Sequence, residues 1–365
     1  MSSLGGDRCW AEISHSAILH NARVARERVG PELSLLAVVK ANGYGHGMVE
    51  VARTLRAEAQ LFGVANLSEA ETLRGGGISE PILILGAALP NERRTISEAG
   101  FIASISSLEE AQAFAAKPTV VNFSIDTGMG RMGSWHEGAL AVLEKISKLP
   151  NLRLYSISTH LPVADEDPLF TETELAQFGQ LVRQIRACVA GSYKVHALQS
   201  AGILGFNHHQ FDMVRAGLML YGSSPLAGEQ RCLQPVMTLK ARIALLRDLP
   251  AGRSISYGRT FTTARSTRVA TISAGYADGY PRSLSNRGAS VLVGGLRCPV
   301  LGRVTMDLTM ADVSHVSGVE VGDEVVLIGR QAGEEILAAE VAERAGTIAW
   351  EVFTGIGSRV RRVYL

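Results

Sequence analysis

What constrains this chain most is a repeated alternation in its first two thirds. Short apolar runs rich in β-branched residues recur at 35–39, 61–65, 82–85, 101–105, 120–125, 152–158, 195–199 and 213–221. Helical signals occupy most of the intervals. Three open with S/T-x-x-E, in which a hydroxyl and a carboxylate satisfy the orphan amides of a helix start: Ser68 with Glu71, Ser107 with Glu110, and Thr171 with Glu174. After the third, Leu175, Phe178, Val182 and Ile185 recur at spacings of three and four, one apolar helix face. Parallel strands need helical crossovers, and eight of them close a sheet. The pattern predicts an α/β fold, a (β/α)8 TIM barrel over residues 14–229, with a doubly wound open sheet as the alternative.

Beyond residue 230 the texture changes. Strand signals with intervening turns run at 237–246, 254–262, 268–273, 290–293, 300–304 and 324–328, and only 334–344 reads as helix. A second, mostly β domain over 230–365 is expected, joined by an amino-terminal strand at 8–13. A length of 365 residues, 46% of them hydrophobic, accommodates two cores. Thirty-six Lys plus Arg against 35 Asp plus Glu leave a net charge of +1, which recommends neither nucleic acid nor an anionic membrane as partner. A small molecule suits that balance better. Cys9, Cys188, Cys232 and Cys298 are far apart, with no CxxC pair to suggest a metal, and read as reduced thiols of a cytoplasmic protein. The opening MSSLGGDRCW has no apolar core of a signal peptide, and no run reaches the roughly 18 apolar residues of a membrane span.

In a (β/α)8 barrel the chemistry sits where the strands end. The first run ends in Lys40 and enters Ala41-Asn42-Gly43-Tyr44-Gly45-His46-Gly47; the fifth ends in Asp126 and leads to Gly128-Met129-Gly130-Arg131. The sixth ends in Thr159-His160, the seventh in Gln199-Ser200, and the eighth contains Arg215 before Ala216-Gly217-Leu218. A lysine after an apolar strand either snorkels to solvent or points into the mouth, where burial favours the neutral amine that condenses with a carbonyl. Pyridoxal 5′-phosphate is the commonest carbonyl cofactor held this way, and it also needs a phosphate cradle and a partner for its ring nitrogen. The glycines around Tyr44, the Gly217 and Leu218 amides and the hydroxyls of Ser200 and Tyr44 suit the phosphate; Arg215 suits the ring nitrogen. Competing motifs are weaker. Gly128, Gly130 and Gly133 form a GxGxxG, but the next strand ends in Thr-His instead of the acidic residue a dinucleotide site requires. His208-His209 lacks ligand partners at metal spacing, and Asp165-Glu166-Asp167 reads as a solvated loop.

Several long motifs stand in one order: Trp10-Ala11-Glu12-Ile13, Ala37-Val38-Val39-Lys40 with the six residues after Ala41, Asp126-Thr127-Gly128-Met129-Gly130-Arg131-Met132-Gly133, Ser158-Thr159-His160, Val214-Arg215-Ala216-Gly217, Gly275-Tyr276-Ala277-Asp278-Gly279-Tyr280 and Gly302-Arg303-Val304-Thr305-Met306-Asp307. With these the chain resembles, nearly end to end, the alanine racemases of the pyridoxal-phosphate barrel type. The resemblance implies a homodimer that interconverts L- and D-alanine, with Lys40 as Schiff-base lysine and first acid/base. Tyr276 would be the second, supplied by the partner subunit. A phenol titrates near about 10, so a cationic neighbour must help it ionise; the family's hydrogen-bonded set includes a histidine at the position of His160. Arg215 would meet the ring nitrogen, which a guanidinium cannot deprotonate, while Arg131 would reach the phenolic oxygen of the cofactor and the substrate carboxylate. Met306 would offer its backbone amide to that carboxylate. Two positions depart from the pattern. Ser358 stands where many members carry a tyrosine beside the phosphate and the substrate methyl, which makes serine or another small amino acid an alternative substrate. Ser124 stands where some carry a carbamylated lysine that positions the arginine, so another acid or an anion must do that work here. A cofactor-carrier barrel would lack the second domain, and a decarboxylase would be expected to have glutamate in place of Arg215.

Overall fold

A computed structural model describes residues 7–206 and 210–365; the His208-His209 pair and the first six residues lie outside this range. The chain divides into two compact units. Of the described residues, one comprises those of Ile18–Gly43 and Met48–Gln234; the other takes in Tyr44–Gly47 and Pro235–Leu365 with residues 7–17.

The larger unit is the barrel. Strands β2 (Ser34–Val38), β3 (Leu61–Val64), β4 (Ile82–Ala87), β5 (Ile102–Ile105), β6 (Thr119–Asp126), β7 (Leu152–Ser158), β8 (Lys194–His196) and β9 (Met213–Ala216) follow β1 (Cys9–Ile13) of the other unit. They pair in parallel in the order β9-β2-β3-β4-β5-β6-β7-β8. Two backbone bonds, Asp212 to the Val195 carbonyl and Arg215 to the Leu198 carbonyl, each 2.9 Å, bring β9 back to β8 and nearly close the ring. All five residues of β2 are buried, as expected of a strand with helices on one side and a filled interior on the other.

Several boundaries differ from the sequence reading for local reasons. The last barrel strand stops at Ala216, because Gly217 leaves the extended region and Leu218–Tyr221 forms a 3₁₀ turn with Leu220 bonded back to Gly217. The helix expected to start at Ser68 starts earlier, with Asn66 accepting from the Glu69 amide. Ser107 does cap its helix, accepting from Glu110. The long helix Pro168–Cys188 is capped by Asp167, so Thr171 and Glu174 fall beyond its first turn instead of forming a box. Proline at its first position fits that start. Leu175, Phe178, Val182 and Ile185 are all buried, as their spacing predicts.

In the second unit β1 pairs antiparallel with β10 (Met237–Leu249) and parallel with Arg361–Tyr364 at the far end of the chain. β10 also pairs with Thr267–Ile272 and Glu324–Gln331, making it the spine of the sheet. Residues 300–304 are not a strand: Leu296–Pro299 pairs with Ser290–Val293 and ends at Pro299, Val300 makes only an isolated bridge to Ala311, and Gly302 turns at φ +67°. Residues 254–262 are two short strands split by a turn in which Ser256 and Gly258 have positive φ. The helix expected at 334–344 begins only at Ala338, after Glu334–Ile336 has paired as a strand, and a second short helix, Ala349–Thr354, follows it; neither has a side-chain cap. No helix among the described residues is long and apolar enough to cross a membrane.

Candidate active site

Lys40 follows β2 and is half-buried. Burial lowers its amine, the Arg131 guanidinium lowers it further, and Glu69 acts in the opposite sense. The chain leaves Lys40 in a left-handed turn: Ala41, Asn42 and Gly43 have φ of 53°, 55° and 62°, closed by the Gly43 amide donating to the Val39 carbonyl at 2.8 Å. Such a conformation costs about 1–2 kcal/mol per non-glycine residue. Neighbouring groups hold it: Glu69 accepts from the amides of Ala41 and Ala65, each at 2.7 Å, and Asn42 Oδ1 accepts from Met48 at 3.1 Å.

Arg215 is the centre of the barrel mouth. Its guanidinium is buried and donates through Nη1 to His196 Nδ1 at 2.6 Å and the His196 carbonyl at 3.2 Å. Nη2 donates to the carbonyls of Thr159 and Ala197, both at 2.8 Å, and to His160 Nδ1 at 3.2 Å. Both terminal nitrogens are thereby used, and Nε is the donor that these bonds leave over. Burial, reinforced by Arg131, pushes Arg215 down to about 10. The same cations act on the imidazoles. Burial and then Arg215, Arg131 and Lys40 hold His160 down to about 3, and burial with Arg215 holds His196 well below the usual range. The positive charge in this set therefore belongs to Arg215, and His160 is a neutral acceptor at Nδ1. His196 was not singled out in the sequence, since the seventh run was read as ending three residues later, at Gln199.

Arg131 is exposed at the end of a loop whose amides are already used: Asp126 Oδ1 accepts from Gly128 at 3.0 Å and Gly130 at 3.1 Å. That removes the two donors a dinucleotide pyrophosphate would need, and the GxGxxG is a carboxylate-tied loop. Ser124 does not serve this loop; its hydroxyl receives Asn122 Nδ2 at 3.2 Å. Glu174 lies beside the loop. It is buried, accepts from the Thr127 hydroxyl at 2.5 Å, and Thr127 in turn bonds Thr159 at 2.6 Å. Burial raises its carboxyl, Thr127 lowers it and Asp126 raises it.

Ser200 Oγ accepts from the amides of Gly217 at 3.1 Å and Met219 at 3.2 Å. Its own hydrogen stays available, and the intervening Leu218 amide has no described partner. A donor set of one hydroxyl and one amide, beside a guanidinium with a spare Nε and a lysine of lowered proton affinity, fits the phosphate, ring nitrogen and carbonyl of pyridoxal 5′-phosphate. Lys40, Arg131, His160, Ser200, Arg215, Gly217 and Leu218 thus all belong to the barrel unit, whereas Tyr44 groups with the other. Tyr44 is buried there, which pushes its phenol up to about 12. The neighbouring glycines answer to packing within that same unit: a Cβ at Gly45 would meet the Phe353 carbonyl, and one at Gly47 the Tyr364 hydroxyl.

Tyr276 and Met306 share the second unit. Tyr276 is 40% exposed, in a short turn whose amides at Tyr276 and Ala277 donate to the carbonyls of Thr305 and Met306, both at 3.0 Å. Only glycine fits at 275, since a Cβ would strike those two carbonyls. Met306 is 53% exposed and its own amide has no described partner. Arg359 ties the two loops together: Nε and Nη2 donate to Asp278 at 2.7 and 3.0 Å, and Nη2 to Asp307 at 2.7 Å. Asp278 also accepts from the Gly275 amide at 2.9 Å. Ser358, beside Arg359, is exposed. Among the described residues no cluster of His, Cys, Asp or Glu could hold a metal ion.

Two family models match in sequence: "Alanine racemase, N-terminal domain" over residues 13–225 and "Alanine racemase, C-terminal domain" over 236–364. An alanine racemase of Symbiobacterium thermophilum is 42% identical over 97% of this chain and 96% of its own, and one of Halothermothrix orenii 40% identical over the same shares. Among solved structures, the alanine racemase from Bacillus anthracis with bound L-Ala-P has a TM-score of 0.90 at 34% identity, covering 98% of this chain and 95% of that one. The alanine racemase of Clostridium difficile 630 in complex with cycloserine has a TM-score of 0.89 at 30% identity, covering 98% and 96%. The chain belongs to the alanine racemase family, pyridoxal-phosphate-dependent isomerases that interconvert L- and D-alanine.

Proposed function

We propose that this chain racemises alanine by two acid/base groups on opposite faces of the substrate, Lys40 of one subunit and Tyr276 of its partner in a homodimer. The observation that carries the reading is Lys40, half-buried at the end of β2 with its amine lowered by burial and by Arg131, which makes the neutral, proton-accepting form easier to reach than in water. Bound pyridoxal phosphate supplies a carbonyl that condenses with the amino group and a ring that accepts the electron pair left when the α-proton departs. The Ser200 hydroxyl and the Leu218 amide would hold the phosphate, joined by Tyr44, and Arg215 would offer Nε to the ring nitrogen. A guanidinium takes no proton from that nitrogen and gives none up, which favours quick return of the α-proton over its relocation. Arg131 and, from the partner subunit, the Met306 amide would hold the substrate carboxylate, with the α-hydrogen toward one base or the other. Removal from one face and return on the other inverts the centre.

The exposure of Tyr276 and Met306 supports a shared site, since a partner subunit would cover both. Four free cysteines support a reducing, cytoplasmic setting, with D-alanine serving the cell wall or alanine catabolism. The small, exposed Ser358 favours a second reading, a racemase that also accepts serine. The deciding experiment is Tyr276→Phe: loss of α-proton exchange, about 10²–10⁴-fold, should fall on one enantiomer far more than on the other. Equal loss for both would contradict two bases, and sedimentation of the wild type as a monomer at working concentration would contradict the shared site.

A further inference from the structure

The bond from Arg215 to His196 does not end there. His196, 1% exposed, has Nε2 at 3.2 Å from Ser156 Oγ, and Ser156 donates to Asn122 Oδ1 at 2.8 Å. Asn122 Nδ2 lies 3.3 Å from Ser104 Oγ, 3.2 Å from Ser124 Oγ and 3.0 Å from Ser158 Oγ, and Ser104 donates to the Ile84 carbonyl at 2.7 Å. Every one of these side chains is at most 9% exposed. The set therefore crosses the barrel interior from β9 through β8, β7, β6 and β5 to β4.

Its ends allow only one direction. A guanidinium can only donate and a backbone carbonyl can only accept. Ser104 spends its one hydrogen on Ile84, so it must accept from Asn122; the Asn122 carbonyl oxygen then receives Ser156, whose oxygen accepts from His196 Nε2. His196 Nδ1 is left bare to accept from Arg215. We propose that Asn122 is a positioning residue for Arg215, acting through Ser156 and His196, and that this one-way set keeps Arg215 Nε free for the ring nitrogen. The last clause rests on the role given to Arg215 above; the hold on His196 does not.

Among the described residues the titratable groups bonded to the set are His196, Arg215 at its end and, through Arg215 Nη2, His160. Replacing Asn122 by leucine keeps its bulk and removes the hub, so Ser156 loses its acceptor and its hydroxyl can turn against His196. Asn122→Asp is a second probe, because a protonated carboxyl still offers one donor and one acceptor, while an ionised one offers acceptors only. The experiment is ¹H–¹⁵N NMR of the His196 ring in the holoenzyme, assigned by its loss in His196→Gln, together with the visible spectrum of the bound cofactor. The wild type should show an Nε2–H protected from solvent exchange from pH 5 to 8. Protection should fall roughly tenfold or more in Asn122→Leu; in Asn122→Asp it should persist at the acid end and vanish as the carboxyl ionises, and the cofactor spectrum should change in step. Unaltered Nε2–H protection in folded Asn122→Leu, or in Asn122→Asp across the whole pH range, overturns the proposal. Lost protection with an unchanged cofactor spectrum upholds the hold on His196 and refutes the placement of Arg215 at the ring nitrogen.

Discussion

The two units carry functional residues by opposite means. In the barrel, Arg215 is buried among neutral acceptors, two imidazoles and three carbonyls, and no carboxylate among the described residues bonds it. In the second unit, Arg359 is half-exposed and held by two carboxylates, Asp278 and Asp307. A buried cation with neutral partners keeps a fixed place but leaves its charge uncompensated, which depresses the proton affinity of every base around it. An ion-pair clamp whose cation is half-exposed is weaker and partly screened by salt, even though Asp278 itself is buried. The first arrangement suits an electrostatic environment that must not drift; the second suits loops that must be steered without perturbing the groups they carry.

The largest effect should come from breaking the buried arrangement. Arg215→Lys cannot fill the five bonds, and stranded acceptors on Thr159, Ala197 and His196 should cost about 3 kcal/mol or more, read by urea unfolding, with kcat down roughly 10³-fold. A variant that unfolds like the wild type would show that Arg215 is not the centre of the mouth.

Next comes pH. The folded barrel holds His160 and His196 neutral where the unfolded chain binds a proton on each. Below about 6.5 the unfolded state therefore takes up more protons, and stability falls as pH drops, toward about 3 for His160. Each contributes at most about 1.4 kcal/mol per pH unit. The slope between pH 6.5 and 5 should flatten in His160→Gln; an unchanged slope would mean that this imidazole is already protonated in the folded protein.

For the clamp, Arg359→Ala should lower kcat about tenfold, by letting the loops of Tyr276 and Met306 drift, with a smaller loss of stability than Arg215→Lys, because Asp278 keeps the Gly275 amide as a donor. High salt, at which the Debye length is about 3 Å at 1 M, should mimic part of this in the wild type and do nothing further in the variant. Salt sensitivity that survives Arg359→Ala would place its origin elsewhere. The smallest change is Ser358→Tyr, which should lower the serine-to-alanine rate ratio by a few-fold in initial-rate assays; an unaltered ratio would exclude position 358 from the substrate pocket.

Much of this was legible beforehand. Lys40, Arg131 and His160 stood out because they come after apolar strands, and Arg215 because it interrupts one, in a fold whose chemistry gathers at strand ends. Thr171 and Glu174 were read as a helix start because four-residue patterns carry no information about what lies across space; Glu174 instead bonds Thr127, 47 residues away. His196 escaped notice because its strand ended three residues sooner than its apolar run. Asn122 and Ser156 resembled ordinary polar interruptions in strands, and nothing in their neighbours along the chain marks them as partners.

The sequence by itself determined the alternation that makes a barrel, the β-rich second unit, and, through motifs in a fixed order, the family. Tertiary structure alone decided how the site's electrostatics are built. Register between β5, β6, β7 and β8 sets which side chains face one another across the barrel, and burial decides that those facing groups must be donor to acceptor. Neither property is local, because a hydrogen bond between residues 34 or 40 positions apart exists only once the strands between them have closed.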